Sequence, residues 1–183
     1  MSIPSSPMRL LLDKNVVRRG VNGLLRLARG QEPPPEEELA LVLLQKAAIG
    51  ECKLFVAQEV VHILARKEDN STTFAVQTFL RRVSVLKRTR YFKRWARRLR
   101  RMNFTREDAK VLSLATFSTD EAGEILSVSV IVTFDQRLIS KYTHEFAVIR
   151  DQLEAMMAGL EPPFCYARLP EVILPQKALG LIQ

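Results

Sequence analysis

Cysteine and histidine are scarce in this chain. Its 183 residues include only two cysteines, Cys52 and Cys165, and two histidines, His62 and His144. The cysteines have no partner at the spacing of a zinc site, and two cysteines form no dense disulfide framework. Two isolated histidines offer little material for a catalytic centre built on imidazole. The sequence therefore argues against structural zinc, a disulfide-stapled fold and histidine-based catalysis.

Long apolar runs and several common motifs are absent as well. No stretch approaches the roughly 18 uninterrupted apolar residues of a membrane span, and the amino terminus lacks the pattern of a signal peptide. The chain has no GxxxxGKS/T phosphate loop, GxGxxG turn, GxSxG elbow or HExxH zinc motif. We therefore expect a cytoplasmic protein with no membrane partner. The remaining candidates for chemistry are acidic side chains.

Acidic residues are missing from residues 81–101. This stretch contains eleven lysines and arginines, whereas the whole chain has a net charge of +8, so the other residues sum to 8 − 11 = −3. Such local basicity favours a polyanionic partner, and we expect RNA. Phe92, Trp95, Leu99 and Met102 recur at three- and four-residue steps, which predicts an amphipathic helix. The cations expected to contact RNA are Arg90, Lys93, Arg94, Arg97, Arg98 and Arg101.

Two short apolar runs each stop at an aspartate. They are MRLLLD, which ends at Asp13, and VSVIVTFD, which ends at Asp135. A short apolar run before a polar break is typical of a strand buried on both faces, as in a parallel sheet. If the two strands are neighbours, both carboxylates lie at the edge of the sheet where ligands bind. Close carboxylates repel unless one is protonated or a cation lies between them, so a metal site is the first functional hypothesis.

Strands and helices alternate along the chain, which predicts an α/β sandwich with a mainly parallel sheet. The length favours one domain, here residues 1–183. Its core is expected at residues 8–150, and residues 151–183 form a C-terminal extension.

Three regions of the second half are predicted to be less regular. A short helix is expected after Asp135, followed by an edge strand at residues 146–149. A loop is expected at residues 118–124. The tail from Glu161 is rich in proline, which predicts an irregular path over the surface.

Three motifs resemble those of the PIN-domain family. Residues 10–16 (LLLDKNV) resemble its opening strand, which ends in Asp-x-Asn-Val. Residues 105–109 (TREDA) resemble its helix with an Asp-Ala pair, and residues 131–135 (IVTFD) resemble its closing strand with Thr-x-Asp. The order and the spacing of the motifs also fit, and the resemblance covers residues 8–150.

The resemblance implies an α/β/α sandwich around a parallel sheet and a ribonuclease that depends on Mg2+ or Mn2+. The family includes the toxins of bacterial toxin–antitoxin pairs, so the sequence leaves open an antitoxin-like protein partner. A homodimer is left open as well. Asp13, Asp108 and Asp135 would hold the metal directly or through water. Asn15 and Thr133 would orient those carboxylates. Because Mg2+ prefers oxygen ligands and keeps several waters, a few carboxylates from separated segments are sufficient.

One position of the family pattern is not acidic in this chain. The family usually has a glutamate on the helix after the second strand, and the matching position is His62 or Ile63. Glu59 lies one turn earlier on the same helical face and is the candidate fourth metal ligand. Ile63 is expected to be a core residue, so His62 is the better place to restore an acid. The missing acid leaves open a catalytically impaired domain that binds RNA or a protein without cutting.

Each candidate also has a structural interpretation. The aspartates can be turn residues or residues that match the dipole in a first helical turn. Asn15 can be a simple helix cap. The basic stretch can be a solvated face or a docking surface for an acidic protein. Metal binding separates the enzyme from the other possibilities, and salt-sensitive RNA affinity separates an RNA-binding domain from an adaptor.

Overall fold

The computed structural model describes residues 7–66, 72–119, 123 and 128–182. Helices and strands alternate along these residues, as the sequence predicts. The strands are β1 (Met8–Leu12), β2 (Cys52–Ala57), β3 (Val83–Arg88), β4 (Ser118–Thr119), β5 (Val130–Val132) and β6 (Glu171–Ile173). The helices are α1 (Lys14–Ala28), α2 (Pro35–Ala48), α3 (Gln58–Ala65), α4 (Thr73–Leu80), α5 (Phe92–Arg101), α6 (Arg106–Thr116), α7 (Gln136–Met157) and α8 (Pro175–Leu181).

The strands form one sheet with the order β4-β3-β2-β1-β5-β6. Neighbouring strands are parallel, except that β4 runs antiparallel to the end of β3. The prediction of a mainly parallel sheet is therefore confirmed. After β1 the chain adds β2 and β3 on one side and then β5 and β6 on the other, so the strand order reverses between β1 and β5. Such a reversal opens a crevice at the carboxyl ends of the strands, where ligands bind in open α/β sheets.

Alternate residues of each strand face opposite layers of helices. Leu11 belongs to an apolar cluster that also contains Phe55, Ile131 and buried side chains of α5, α6 and α7. Leu10 and Leu12 belong to a second cluster, with side chains of α1, α2, α4 and α8. The sheet therefore has helices on both faces, which explains why its strands are continuously apolar. The architecture is a three-layer α/β/α sandwich.

The second half of the acid-free stretch forms the amphipathic helix α5, as predicted. Phe92, Trp95 and Leu99 are buried on the inner side of this helix. Met102 follows as the C-cap residue and is half-buried. The apolar side chains that recur at helical spacing thus fasten α5 to the core, and most of its cations are left on the outside.

The region after Asp135 differs from the predicted short helix and edge strand. Helix α7 continues for 22 residues. The edge strand at residues 146–149 is a wrong prediction, because Ile149 is buried as part of the helix whereas Phe146 and Val148 face outward. The helical repeat is visible only over the longer window that also contains Tyr142 and Leu153. No helix in the described part of the chain is long and apolar enough to span a membrane.

The C-terminal residues contribute to the fold instead of forming an irregular tail. Strand β6 extends the sheet by pairing in parallel with β5, and α8 packs against the layer that contains α2. The prediction missed β6 because its three residues lie between Pro170 and Pro175, which read as breakers. The predicted loop at residues 118–124 begins with β4 instead, and residues 120–122 and 124 lie outside the described residues.

Gly20 allows α1 to lie close to α4. A Cβ atom at this position would be 2.9 Å from Cε2 of Phe79, whose ring is buried. We predict that Gly20→Ala lowers the free energy of unfolding by about 1–2 kcal/mol, because overpacking costs more than the helix propensity that alanine gains. Gly180→Ala is the matched control, because its Cβ would meet no atom of the described residues within 4 Å. Urea unfolding measures both, and an unchanged Gly20→Ala would contradict the close packing.

Candidate active site

A pocket of about 380 Å³ opens at the carboxyl ends of the central strands, beside the reversal of strand order. Its wall includes all four acids that the sequence analysis names as metal ligands. These are Asp13 after β1, Glu59 in α3, Asp108 in α6 and Asp135 after β5. The fold thus brings together side chains from four separate segments. For Asp13 and Asp135 the direct cause is the pairing of β1 with β5.

Asp13 is held at the end of β1 by hydrogen bonds on both sides. Its backbone N–H donates to the carbonyl of Val132 at 3.0 Å. Its carboxylate accepts from the backbone N–H of Lys14 at 2.7 Å and from the hydroxyl of Thr133 at 2.8 Å. Asp13, and not Asn15, is the N-cap residue of α1. This side chain therefore begins the helix and faces the pocket at the same time.

The hydroxyl of Thr133 joins the ends of β1 and β5. It donates to Oδ2 of Asp13 and accepts from the side-chain amide of Asn15 at 3.3 Å and from the backbone N–H of Asp135 at 3.0 Å. Because a hydroxyl has one proton and two lone pairs, its bonding capacity is fully used. Asn15 also accepts from the backbone N–H of Phe134 at 3.3 Å. Asn15 and Thr133 thus lie in one network with Asp13, where they can orient its carboxylate.

Asp108 and Asp135 both lie at the beginning of a helix. One oxygen of Asp135 accepts from the backbone N–H groups of Arg137 and Leu138, at 2.9 and 3.2 Å, and so caps α7. Asp108 lies in the first turn of α6, where its own N–H donates to the hydroxyl of Thr105 at 3.1 Å. Helix amino termini favour negative charge. Both aspartates therefore have a structural role that is compatible with a role in the pocket.

Burial raises the pKa of Asp13 above its ordinary value of 3.8, because loss of water disfavours the carboxylate. The negative charge of Asp108 raises this pKa as well. Hydrogen bonds from Thr133 and Lys14, together with the charge of Lys14, act in the opposite direction. A cation close to Asp13 and Asp108 would compensate for both unfavourable effects. The electrostatics of this part of the pocket therefore suit a positive ion.

Five charged side chains form a chain of ion pairs along the pocket. Lys14 pairs with Glu107 at 3.6 Å, and Glu107 pairs with Lys110 at 3.5 Å. Lys110 also lies 3.9 Å from Glu59, and Glu59 pairs with Arg88. Two cations therefore neutralise the acid that was expected to be the fourth metal ligand.

Sequence reasoning missed the basic members of this pocket. It considered Arg88 only as one cation of the acid-free stretch, and it gave Lys110 no role. Lys110 lies two residues after Asp108 on α6, and Arg88 is the last residue of β3, so both lie near the carboxyl-end edge of the sheet where the acids were expected. The ion pairs of Arg88 and Lys110 with Glu59 depend on how α3, α6 and β3 pack together. A local sequence pattern does not predict that packing.

The chemical type of the acidic side chains favours a divalent metal ion, whereas their spacing does not form a closely grouped site. Asp13, Asp108 and Asp135 offer the carboxylate oxygens that Mg2+ and Mn2+ prefer. Among the residues that the structure describes, no three histidine, cysteine, aspartate or glutamate side chains are grouped closely enough to hold an ion. Mg2+ keeps several waters, and contacts through water do not require such close grouping. The donor set therefore fits a divalent cation, with Glu59 engaged by its cationic partners.

His62 and Ile63, the two positions at which the sequence places a further acid, lie differently with respect to the pocket. Ile63 lines the pocket and is 51% exposed, so its prediction as a core residue is wrong. The physical reason is that the side of α3 that carries Ile63 faces the pocket and not the core. His62 is exposed and is not part of the described pocket wall. Ile63, and not His62, is therefore the better place to restore an acid.

The cations expected to bind RNA divide into two groups. Two of them are engaged within the protein: Arg90 lies over the rings of Tyr91 and Phe164, and Arg98 donates to Gln152 at 3.0 Å. The others are exposed on α5 and, among the described residues, have no acidic partner. This exposed group consists of Lys93, Arg94, Arg97 and Arg101.

No family model, no curated protein and no solved structure matches this chain.

Ionisation of Asp13 is predicted to destabilise the fold. Folding raises the pKa of Asp13, so its protonated form is favoured in the folded state. Its contribution to the free energy of unfolding is therefore complete below the ordinary pKa of 3.8 and is lost as the pH rises through the higher pKa of the folded state. We predict that Asp13→Asn gains stability relative to the parent as the pH rises from about 4 to about 7. Urea unfolding at several pH values measures this difference. Asp151→Asn, exposed on α7, is the control, and a difference independent of pH for Asp13→Asn would contradict the raised pKa.

Proposed function

We propose that the protein is a metal-dependent endoribonuclease of the PIN type. The observation that carries the proposal is that Asp13, Asp108 and Asp135 line one pocket beside the reversal of strand order. Each of these aspartates belongs to one of the three motifs that resemble the family. The parallel sheet between two helical layers is also the architecture that the resemblance implies.

Asp13, Asp108 and Asp135 would hold Mg2+ or Mn2+, directly or through water. A bound ion of this kind supplies an activated water nucleophile and stabilises negative charge on the phosphate being cleaved. Thr133 keeps the Asp13 carboxylate in one orientation, because its hydroxyl is buried and has no further bonding capacity. Asn15 fixes that hydroxyl in turn. Preorganised carboxylates avoid reorganisation when the substrate arrives.

Helix α5 would bind the phosphate backbone of RNA. Its exposed cations offer a polyanion several contacts along one face. The basic surface reaches the pocket at Arg88, whose guanidinium lies 4.7 Å from the ring of Phe92. Both side chains line the pocket together with the acids. An RNA strand on α5 would therefore be led towards the carboxylates.

A catalytically impaired PIN-like domain that binds RNA or a protein is the second candidate. Two observations favour it. The pocket wall has Ile63, one of the two positions that match the acid of the family pattern, and Glu59 is paired with Arg88. Such a domain would retain its RNA affinity without cutting.

We predict that the protein binds Mn2+ and cleaves RNA in the presence of this ion. Asp13→Asn is expected to lower the rate of RNA cleavage about 100-fold, because loss of a well-placed charged group at a catalytic centre has effects of that order. Calorimetry measures binding, and a gel assay with labelled RNA measures cleavage. Ile63→Glu should raise the rate, since it adds an acid to the pocket wall. His62→Glu is the matched control outside the described wall.

The two candidates give different outcomes in that experiment. Absence of Mn2+ binding would contradict the proposed enzyme. RNA binding without cleavage, in the parent and in Ile63→Glu alike, would favour the impaired domain.

We predict that changing Lys93, Arg94 and Arg97 to glutamine flattens the dependence of RNA affinity on salt. Each phosphate contact on a single strand contributes about 0.7 to the slope of log K against log salt, so three lost contacts lower the slope by about two. Fluorescence anisotropy at several salt concentrations measures this slope. A control variant changes three exposed cations elsewhere, Arg18, Arg29 and Lys53. If the variant at Lys93, Arg94 and Arg97 has the same salt dependence as the parent, these cations do not bind RNA. The exposed cations of α5 would then be a solvated surface or a docking surface for an acidic protein.

A further inference from the structure

Glu59 shares the pocket wall with the candidate metal ligands and is nevertheless engaged elsewhere. It lines the same pocket as Asp13 and Asp108, but its carboxylate pairs with Arg88 and lies 3.9 Å from Nζ of Lys110. A carboxylate neutralised in this way attracts a divalent cation less than a free one does. The pocket therefore contains a carboxylate that its own basic side chains keep from a metal.

The ion pair between Arg88 and Glu59 is easily exchanged. The side chains are 42% and 45% exposed, and ion pairs as exposed as these stabilise a protein little. A guanidinium matches a phosphate group with two parallel hydrogen bonds and is only weakly hydrated. A phosphate that enters the pocket can therefore compete with Glu59 for Arg88.

Arg88 is also placed where RNA would enter. It belongs to the acid-free stretch, lies over the ring of Phe92 at the start of α5, and lines the pocket. Its backbone is fixed by pairing with Ser118 of β4. Loss of the Arg88–Glu59 ion pair consequently requires movement of one long side chain and not of the strand, and leaves Lys110, at 3.9 Å, as the ion-pair partner of Glu59 among the described residues.

We infer that Arg88 couples RNA binding to metal binding, an inference that rests on the proposed function. Without RNA, Arg88 holds Glu59. An RNA phosphate takes over the guanidinium, and the Glu59 carboxylate then becomes available to the divalent cation as the fourth acid. The substrate thereby completes the metal site, and linkage requires each ligand to raise the affinity of the other by the same factor.

The test measures the affinity of the full chain for Mn2+ with and without a ten-nucleotide 2′-O-methyl oligouridylate, corrected for Mn2+ that the oligonucleotide binds alone. In the parent, the oligonucleotide is expected to tighten Mn2+ binding at least about 5-fold, the lower end of common coupling. Arg88→Gln is expected to tighten it about 5-fold without the oligonucleotide and to lose most of the coupling. Arg81→Gln is the matched control, because this exposed arginine precedes β3 at the opposite end of the strand.

A double-mutant cycle with Glu59→Gln separates release of Glu59 from a general change of charge. Arg88→Gln is expected to tighten Mn2+ binding only when Glu59 is present. Equal tightening in the Glu59→Gln background would overturn the inference. So would a Mn2+ affinity of the parent that the oligonucleotide leaves unchanged, and in both cases the proposed metal site would stand. Absence of Mn2+ binding in every variant would overturn the proposed function and the inference together.

Discussion

The parallel pairing of β1 with β5 is the constraint on which the candidate site depends. Leu12 pairs with Val132, so the residues that follow them, Asp13 and Thr133, meet at the edge of the sheet. A shift of register by one residue would turn every side chain of the shifted strand to the other face and separate the Thr133 hydroxyl from Asp13. The buried side chains on both faces oppose such a shift. The same register of β1 and β5 therefore determines both the packing of the core and the position of Asp13 beside Thr133.

Features written in short stretches of sequence were predictable. The apolar runs before Asp13 and Asp135 located two adjacent parallel strands. The meeting of these aspartates followed from a general property of parallel sheets, because the carboxyl ends of neighbouring strands share an edge. The buried stripe of α5 was equally visible, since it is periodic within one helix.

Features that depend on contacts between distant segments were not predictable. Strand β6 has three residues and forms because β5 offers it a free edge, which no local propensity records. Ile63 looked like a core residue because its neighbours are apolar, yet the side of α3 that carries it faces the pocket. The cationic partners of Glu59 come from β3 and α6, so the charge state of the pocket emerges only when three elements are assembled.

The only tryptophan of the chain, Trp95, lies on the inner side of the helix whose outer side carries the exposed cations. Its indole is completely shielded from solvent. Intrinsic fluorescence therefore reports from a single location whether α5 is docked on the core. If a variant of the exposed cations keeps the emission wavelength of a shielded indole, the substitution has removed charge without undocking α5. A shift of the emission to longer wavelength means that α5 is no longer packed on the core. The protein thus has a built-in spectroscopic marker beneath its most basic surface.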